Sequence, residues 1–217
     1  MISLQKNTLA AELNERLHQY AERYADLSAR NEPIPDSIAN AYRARDIKLA
    51  LRIETNDKCA YCESKIPHVD YGDVEHIIPK SSRPDLRFDY LNLTYSCAIC
   101  NNKKGNYYDP ELPLLNPFSD DPSEHLDAFG PMIMRKINSD RGLLTQLQLE
   151  LNRTELCERR LDRLEKIQVL IERQQSSGSL SVRRVLLEQL EEECNSDKEY
   201  SLVVRSYIEA TRARLAP

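Results

Sequence analysis

The chain has 217 residues, 30 Lys and Arg against 35 Asp and Glu, and a net charge of -5. That balance excludes a protein that holds nucleic acid by bulk charge alone, since that mode needs a basic surface. No apolar run reaches the length of a membrane-spanning helix, and the chain length allows one domain or two small packed ones.

The first residues lack the basic start, apolar stretch and small-residue cleavage site of a secretory signal, so the expected compartment is the cytoplasm. Leu13, Leu17, Tyr20, Tyr24 and Leu27 recur every three or four positions, which predicts an amphipathic helix ending before the turn at 31–35. Asp36 is placed to cap a second helix through Ala41, Tyr42 and Leu49 to about Ile53, ended by Asn56 and Asp57. Residues 1–55 thus form an N-terminal helical region. Residues 56–117 form the centre, with short strands expected at 74–78 and 91–95. Residues 109–131, rich in proline and acid, predict an extended surface-wrapping connection, followed by a hairpin around Asp140, Arg141 and Gly142. In the remainder of 118–217 the pattern is helical. Thr154 is placed as a cap, with Cys157, Leu161, Leu164, Ile167 and Ile171 on one face; 176–179 is a break, and Val182, Leu186, Leu190 and then Val203, Tyr207, Ile208 mark two last helices.

Two Cys-x-x-Cys pairs, Cys59/Cys62 and Cys97/Cys100, bracket the centre. In a reducing compartment such pairs serve metals or redox chemistry more often than disulfides. Four thiolates close a tetrahedral shell around Zn²⁺ and leave no open position, which makes the site structural. A zinc module that only binds nucleic acid or protein, and a dithiol redox protein, stand as alternatives. A pure zinc ribbon has no need of Glu75-His76, and two paired motifs around a strand fit zinc better than redox chemistry. Cys157 and Cys194 read as small buried hydrophobes.

His76, at the exit of the first strand, is the group suited to take a proton from water near neutral pH. Glu75 and Asn101 offer hard oxygen ligands for Mg²⁺ or Mn²⁺. Asn92, between two leucines, is placed to bond backbone across a turn and so hold His76. Lys80 and Lys104 are candidate phosphate contacts, and His125 is expected to anchor the connection by hydrogen bonding. From Lys58 to Lys104 seven cations face six acids, so phosphate contact is feasible but a partner is expected to supply the grip.

These residues carry a resemblance. Cys59-Ala60-Tyr61-Cys62-Glu63, Val74-Glu75-His76-Ile77-Ile78-Pro79-Lys80, Leu91-Asn92-Leu93 and the run from Cys97 to Gly105 together resemble the HNH endonucleases, and within them the PtuB-like nuclease subunits of Septu-type and retron-linked antiphage systems. Leu115-Asn116-Pro117, Asp121-Pro122, His125-Leu126 and Leu151-Asn152-Arg153 extend it over roughly residues 45–165. The resemblance implies an α+β fold, a zinc-stapled ββα-metal core inside a mainly α-helical shell. It implies His76 as general base, Asn92 as the asparagine that orients it, Asn101 as a metal-binding residue, and Glu75 where many relatives carry aspartate. The activity implied is metal-dependent cleavage of phosphodiester bonds, with DNA the expected substrate and tRNA or other RNA the alternative. The partners implied are a PtuA-like ATPase and, in retron-linked versions, a reverse transcriptase with its RNA–DNA hybrid. The apolar stripes of the first and last helices exceed what the centre can cover, which predicts a contact surface there.

Overall fold

The computed structural model describes residues 1–67 and 70–215; His68 lies outside them. Helix α1 (Ala11–Ala29) buries Leu17 and lays Leu13, Tyr20 and Tyr24 on the main core, where the two tyrosine rings meet Phe88 at centroid distances of 6.4 and 5.8 Å. The stripe expected to face a partner is therefore largely used within the chain.

The second predicted helix is three pieces: α2 (Asp36–Ala39), a 3₁₀ turn Ala41–Arg43, and α3 (Arg45–Glu54). The reason lies in the phase of its apolar residues. Ile38 and Tyr42 are four apart, as are Ile47 and Leu51, but Tyr42 and Ile47 are five apart, so an unbroken helix would turn the second pair off the core. The extended Ala44, at φ -52° and ψ 144°, resets the phase, and all four are buried. Leu49, read as core-facing, is exposed. Asp36 makes no cap bond; Pro35 precedes the helix instead. Asn56 and Asp57 end α3 in left-handed conformations, φ 53° and 61°.

Strands β1 (Asp73–His76) and β2 (Leu93–Ser96) pair antiparallel, Glu75 opposite Thr94 and His76 opposite Leu93. They are shorter than predicted because Tyr90–Asn92 winds into a 3₁₀ turn before β2. Helix α4 (Ala98–Lys104) then packs against β1. This is the expected ββα unit, surrounded mainly by helices.

The proline-rich connection holds more structure than its composition implied. Strands β3 (Leu126–Phe129) and β4 (Met132–Arg135) form a hairpin turning at Gly130, φ 55°. The hairpin is thus upstream of its expected place. Asp140 to Gly142 instead open helix α5 (Asp140–Gln148), because Ser139 caps it by accepting from the Gly142 amide at 3.0 Å. Glycine is required at 142 for a close approach: a Cβ there would stand 2.4 Å from the His125 carbonyl oxygen. His125 anchors the connection through Nδ1 to Ser139 Oγ at 2.8 Å.

Helices α6 (Thr154–Ser176), α7 (Leu180–Glu193) and α8 (Ser201–Leu215) complete the chain. The inward face of α6 is Leu156, Arg160, Leu164, Ile167 and Ile171; Leu161 is exposed and Cys157 and Cys194 are only half-buried, contrary to the sequence reading. The difference is confined to the first turns, where Arg160 takes an inward place and its buried guanidinium donates to the carbonyls of Pro131 and Leu151. Thr154 is the first residue of α6 and makes no cap bond, and Val182 faces out. Ile167, Ile171, Leu190, Val204 and Ile208 form a small core of their own.

Candidate active site and metal centre

Cys59, Cys62, Cys97 and Cys100 bring four sulfur atoms within 4.8 Å of one another. A tetrahedral zinc with Zn–S bonds near 2.3 Å requires sulfurs about 3.8 Å apart, and Cys62 and Cys97 stand at 3.9 Å. The donor set and its spacing fit zinc. The first pair sits in a tight turn closed by the Cys59 amide on the Ser64 carbonyl, with Glu63 left-handed at φ 66°. The second pair starts α4, where Cys97 Sγ accepts from the Cys100 amide at 3.5 Å. Arg153 Nη1 lies 3.8 Å from Cys100 Sγ. Zinc held by four thiolates would carry two negative charges, and this guanidinium is placed to face them. No local sequence signal marks Arg153 for this place, since it lies 53 residues from Cys100 in the chain.

The first turn is also clasped to the loop before α8. Lys58 Nζ donates to the carbonyls of Ser196 and Lys198, the Lys65 amide to Glu199 Oε1 at 2.6 Å, and Ser201 Oγ to Glu63 Oε2 at 2.9 Å.

Alternation along β1 sends Val74 and His76 to one face and Asp73 and Glu75 to the other. His76 is 5% exposed, and its Nε2 lies 2.9 Å from the Arg87 carbonyl oxygen. A carbonyl only accepts, so the proton is assigned to Nε2 and Nδ1 keeps its lone pair. Burial lowers the His76 pKa to about 4, so the ring is neutral at physiological pH. The Tyr42 ring meets it edge-on at 4.5 Å. Asn92, equally buried, accepts from the Ile78 amide at 2.8 Å and donates to the carbonyls of Ile78 and Leu86 at 2.9 and 3.3 Å. It thereby fixes the segment leaving His76 to the one carrying Arg87.

On the other face α4 supplies the partners. Cys97, Cys100, Asn101 and Lys104 follow the i, i+3, i+4, i+7 spacing that usually carries a buried apolar stripe. Here it carries thiols, an amide and an ammonium. Asn101 Nδ2 donates to Asp73 Oδ2 at 2.8 Å. Lys104 is 3% exposed, pairs with Glu75 Oε1 at 2.7 Å and donates to the His76 carbonyl at 2.8 Å. It is therefore no surface phosphate contact: a chain-internal counter-ion is its place, because Glu75 is buried and needs one. Burial pushes the Glu75 carboxyl above the usual range despite Lys104. Lys80 is half-buried, with Nζ 2.5 Å from the Tyr42 hydroxyl.

Asp73, unassigned from sequence, joins the group through Asn101. Its signal was its position two residues before Glu75, hence on the same strand face. Asp73 and Glu75 share this strand face, and with Nδ2 on Asp73 the amide of Asn101 keeps Oδ1 for another partner. The Thr94 hydroxyl, on the cross-strand partner of Glu75, is buried without a hydrogen-bond partner, as is that of Ser96 opposite Asp73. Among the described residues, the cysteines alone form a convergent cluster of three or more thiol, imidazole or carboxylate ligands.

Residues 59–107 match the HNH family, described as HNH endonuclease. Septu protein PtuB of Bacillus thuringiensis is 43% identical over 84 residues, covering 38% of this chain and 33% of that protein. Septu protein PtuB of Bacillus mycoides (strain KBAB4) is 31% identical over 204 residues, covering 77% of this chain and 66% of that protein. The chain is a PtuB-like HNH protein. It spans a third of the length of the first relative and about two thirds of the second. The HNH match begins at the first cysteine of the cluster and ends just past α4. It thus contains Asp73, Glu75, His76, Asn92 and Asn101, and leaves out Tyr42 and Arg153. No helix of the described residues is long and apolar enough to cross a membrane.

Proposed function

We propose that this PtuB-like HNH protein is a metal-dependent endonuclease, the effector of an antiphage complex with a PtuA-like ATPase. The observation that carries the reading is the state of His76, a neutral imidazole with Nε2 committed to a backbone carbonyl and Nδ1 free, one residue from a buried carboxylate. His76 takes the proton of the attacking water at Nδ1. Asn92 holds the His76 exit segment, and so keeps the ring from turning away. Asp73, Glu75 and Asn101 would hold Mg²⁺ or Mn²⁺, which would supply Lewis-acid stabilisation of charge on the phosphoryl oxygens; His76 is the last residue of β1, and it is at that strand end that the imidazole and the carboxylate face would meet one phosphate. Lys80, half-buried beside the histidine, supplies a phosphate contact. The four cysteines hold a structural zinc that fixes the start of α4 and with it Asn101.

DNA is the substrate favoured by the HNH assignment; structured RNA, including tRNA, is the alternative. A near-neutral centre grips nucleic acid weakly, which supports a partner. The apolar residues left exposed on the β3–β4 hairpin and α7, Phe129, Met134, Leu180 and Val185 among them, rather than the α1 stripe, mark the surface available to it.

The test is cleavage of plasmid DNA and total RNA in Mg²⁺ and Mn²⁺, with and without the co-expressed ATPase, by wild type and His76→Ala. Loss of the base is expected to slow cleavage by ~10²- to 10⁴-fold with folding and partner binding intact. Wild-type rates in folded His76→Ala would overturn the enzyme reading and leave a zinc-bearing adaptor.

A further inference from the structure

The residues that touch His76 do not all belong to the HNH match. Tyr42 lies in the 3₁₀ turn between α2 and α3, outside residues 59–107, and is completely buried. Its ring meets the His76 imidazole at 4.5 Å with an interplanar angle of 73°. Its hydroxyl accepts from Lys80 Nζ at 2.5 Å. The helix just before that turn also reaches the histidine's neighbour: Arg87, whose carbonyl holds His76 Nε2, donates through Nη1 to the carbonyl of Ala39, the last residue of α2, at 2.9 Å and lies over the Tyr24 ring. Phe88 backs the tyrosine at 6.2 Å.

A ring wedged against the imidazole blocks its rotation, and a hydroxyl bound to a lysine ammonium removes most of that side chain's freedom. Both constraints act from one residue. A hydroxyl at this position has no packing purpose that phenylalanine would not serve, and a completely buried tyrosine ring with its oxygen on an ammonium is a specific arrangement rather than filler.

Resting on the nuclease reading, we propose that Tyr42 is a positioning residue of the reaction: its ring fixes the base His76, and its hydroxyl tethers Lys80 so that the ammonium meets the phosphate under attack. The α2–α3 turn is then part of the active centre rather than of its shell. The tether acts on a group engaged in the transition state, so its loss lowers kcat more than it raises KM.

The test uses the full chain in the form that cleaves, with Tyr42→Phe, Tyr42→Leu, Lys80→Gln and the Tyr42→Phe/Lys80→Gln pair. Tyr42→Phe keeps the ring and loses the tether, and is expected to lower kcat about tenfold, the scale of one hydrogen bond to a charged group. Tyr42→Leu loses both and falls further, so phenylalanine rescues part of the loss. Because the hydroxyl acts through Lys80, the pair is expected to be no slower than Lys80→Gln alone. Losses that multiply in the pair, or a Tyr42→Phe enzyme at the wild-type rate, overturn the proposal. A second readout needs no cleavage: amine labelling of Lys80, followed by mass spectrometry, is expected to be several-fold faster in Tyr42→Phe than in wild type. Equal labelling in both overturns the tether. Protected Lys80 in a wild-type protein that cuts nothing would instead keep the tether and remove the nuclease reading.

Discussion

Two sites share one short helix. The first turn of α4 carries Cys97 and Cys100 into the cysteine cluster, and the next carries Asn101 and Lys104 onto the carboxylates of β1. The cluster is closed: its four ligands come from the chain, at the spacing zinc demands, with a guanidinium against it. The carboxylate face is buried but not fully paired, with Glu75 held by an ammonium, the Thr94 and Ser96 hydroxyls lacking partners, and Asn101 using one of its two polar atoms on Asp73. One end of α4 serves a cluster whose ligands all come from the chain; the other serves a face whose polar groups the chain leaves only partly paired.

The comparison breaks most severely at the closed site. Cys62→Ser removes a ligand, and structural zinc in small sites supplies ~10–16 kcal/mol of apparent binding energy, so the variant is expected not to fold. Circular dichroism of the variant, with metal analysis finding one zinc per native chain, checks this; a native, zinc-free wild type removes the claim. On the carboxylate side Lys104→Met leaves Glu75 buried without its counter-charge, at a cost of about 3–5 kcal/mol in metal-free buffer. A urea melt measures it, and added Mn²⁺ is expected to restore part of the loss. A midpoint equal to wild type would show that the pair carries no stability.

A smaller effect follows from His76, whose pKa in the folded chain is about 4 against 6.5 for the free side chain. The unfolded chain binds this proton first as pH falls. Its contribution to stability is therefore full above pH 6.5 and is lost between there and about 4, by up to ~3 kcal/mol. Melts of wild type and His76→Gln across that window isolate the term; parallel curves count against it. Least is expected outside the two sites: Lys103 pairs with Glu150 at 2.6 Å, both partners half-exposed, and Lys103→Ala should change stability by less than about 0.5 kcal/mol. A larger loss would place the anchoring of α4 on its outer surface.

The centre was legible in the sequence because its chemistry is local. Paired cysteines, Glu75-His76 and the alternation along β1 each declare themselves within a few residues, and the cluster, hairpin and helix followed. What stayed hidden was whatever depends on a distant partner. Lys104 looks like surface until Glu75 is known to be buried across from it. The break at Ala44 answers a core phase that only the assembled molecule defines, and Gly142 reads as a turn residue until the His125 carbonyl is beside it. Asp73 was visible but undistinguished, since nothing local separates a ligand from any acid at a strand start.

The clasp between the first cysteine turn and residues 196–201 joins positions 134 to 140 apart in the chain. Closing so long a loop is costly in chain entropy and is recovered only when all of its bonds form together. The cysteine turn and the last helix should therefore assemble late and open as one cooperative unit, with amide exchange in α8 accelerating as soon as a chelator strips the metal. The last helix would then serve as a reporter of metal occupancy at the cysteine turn.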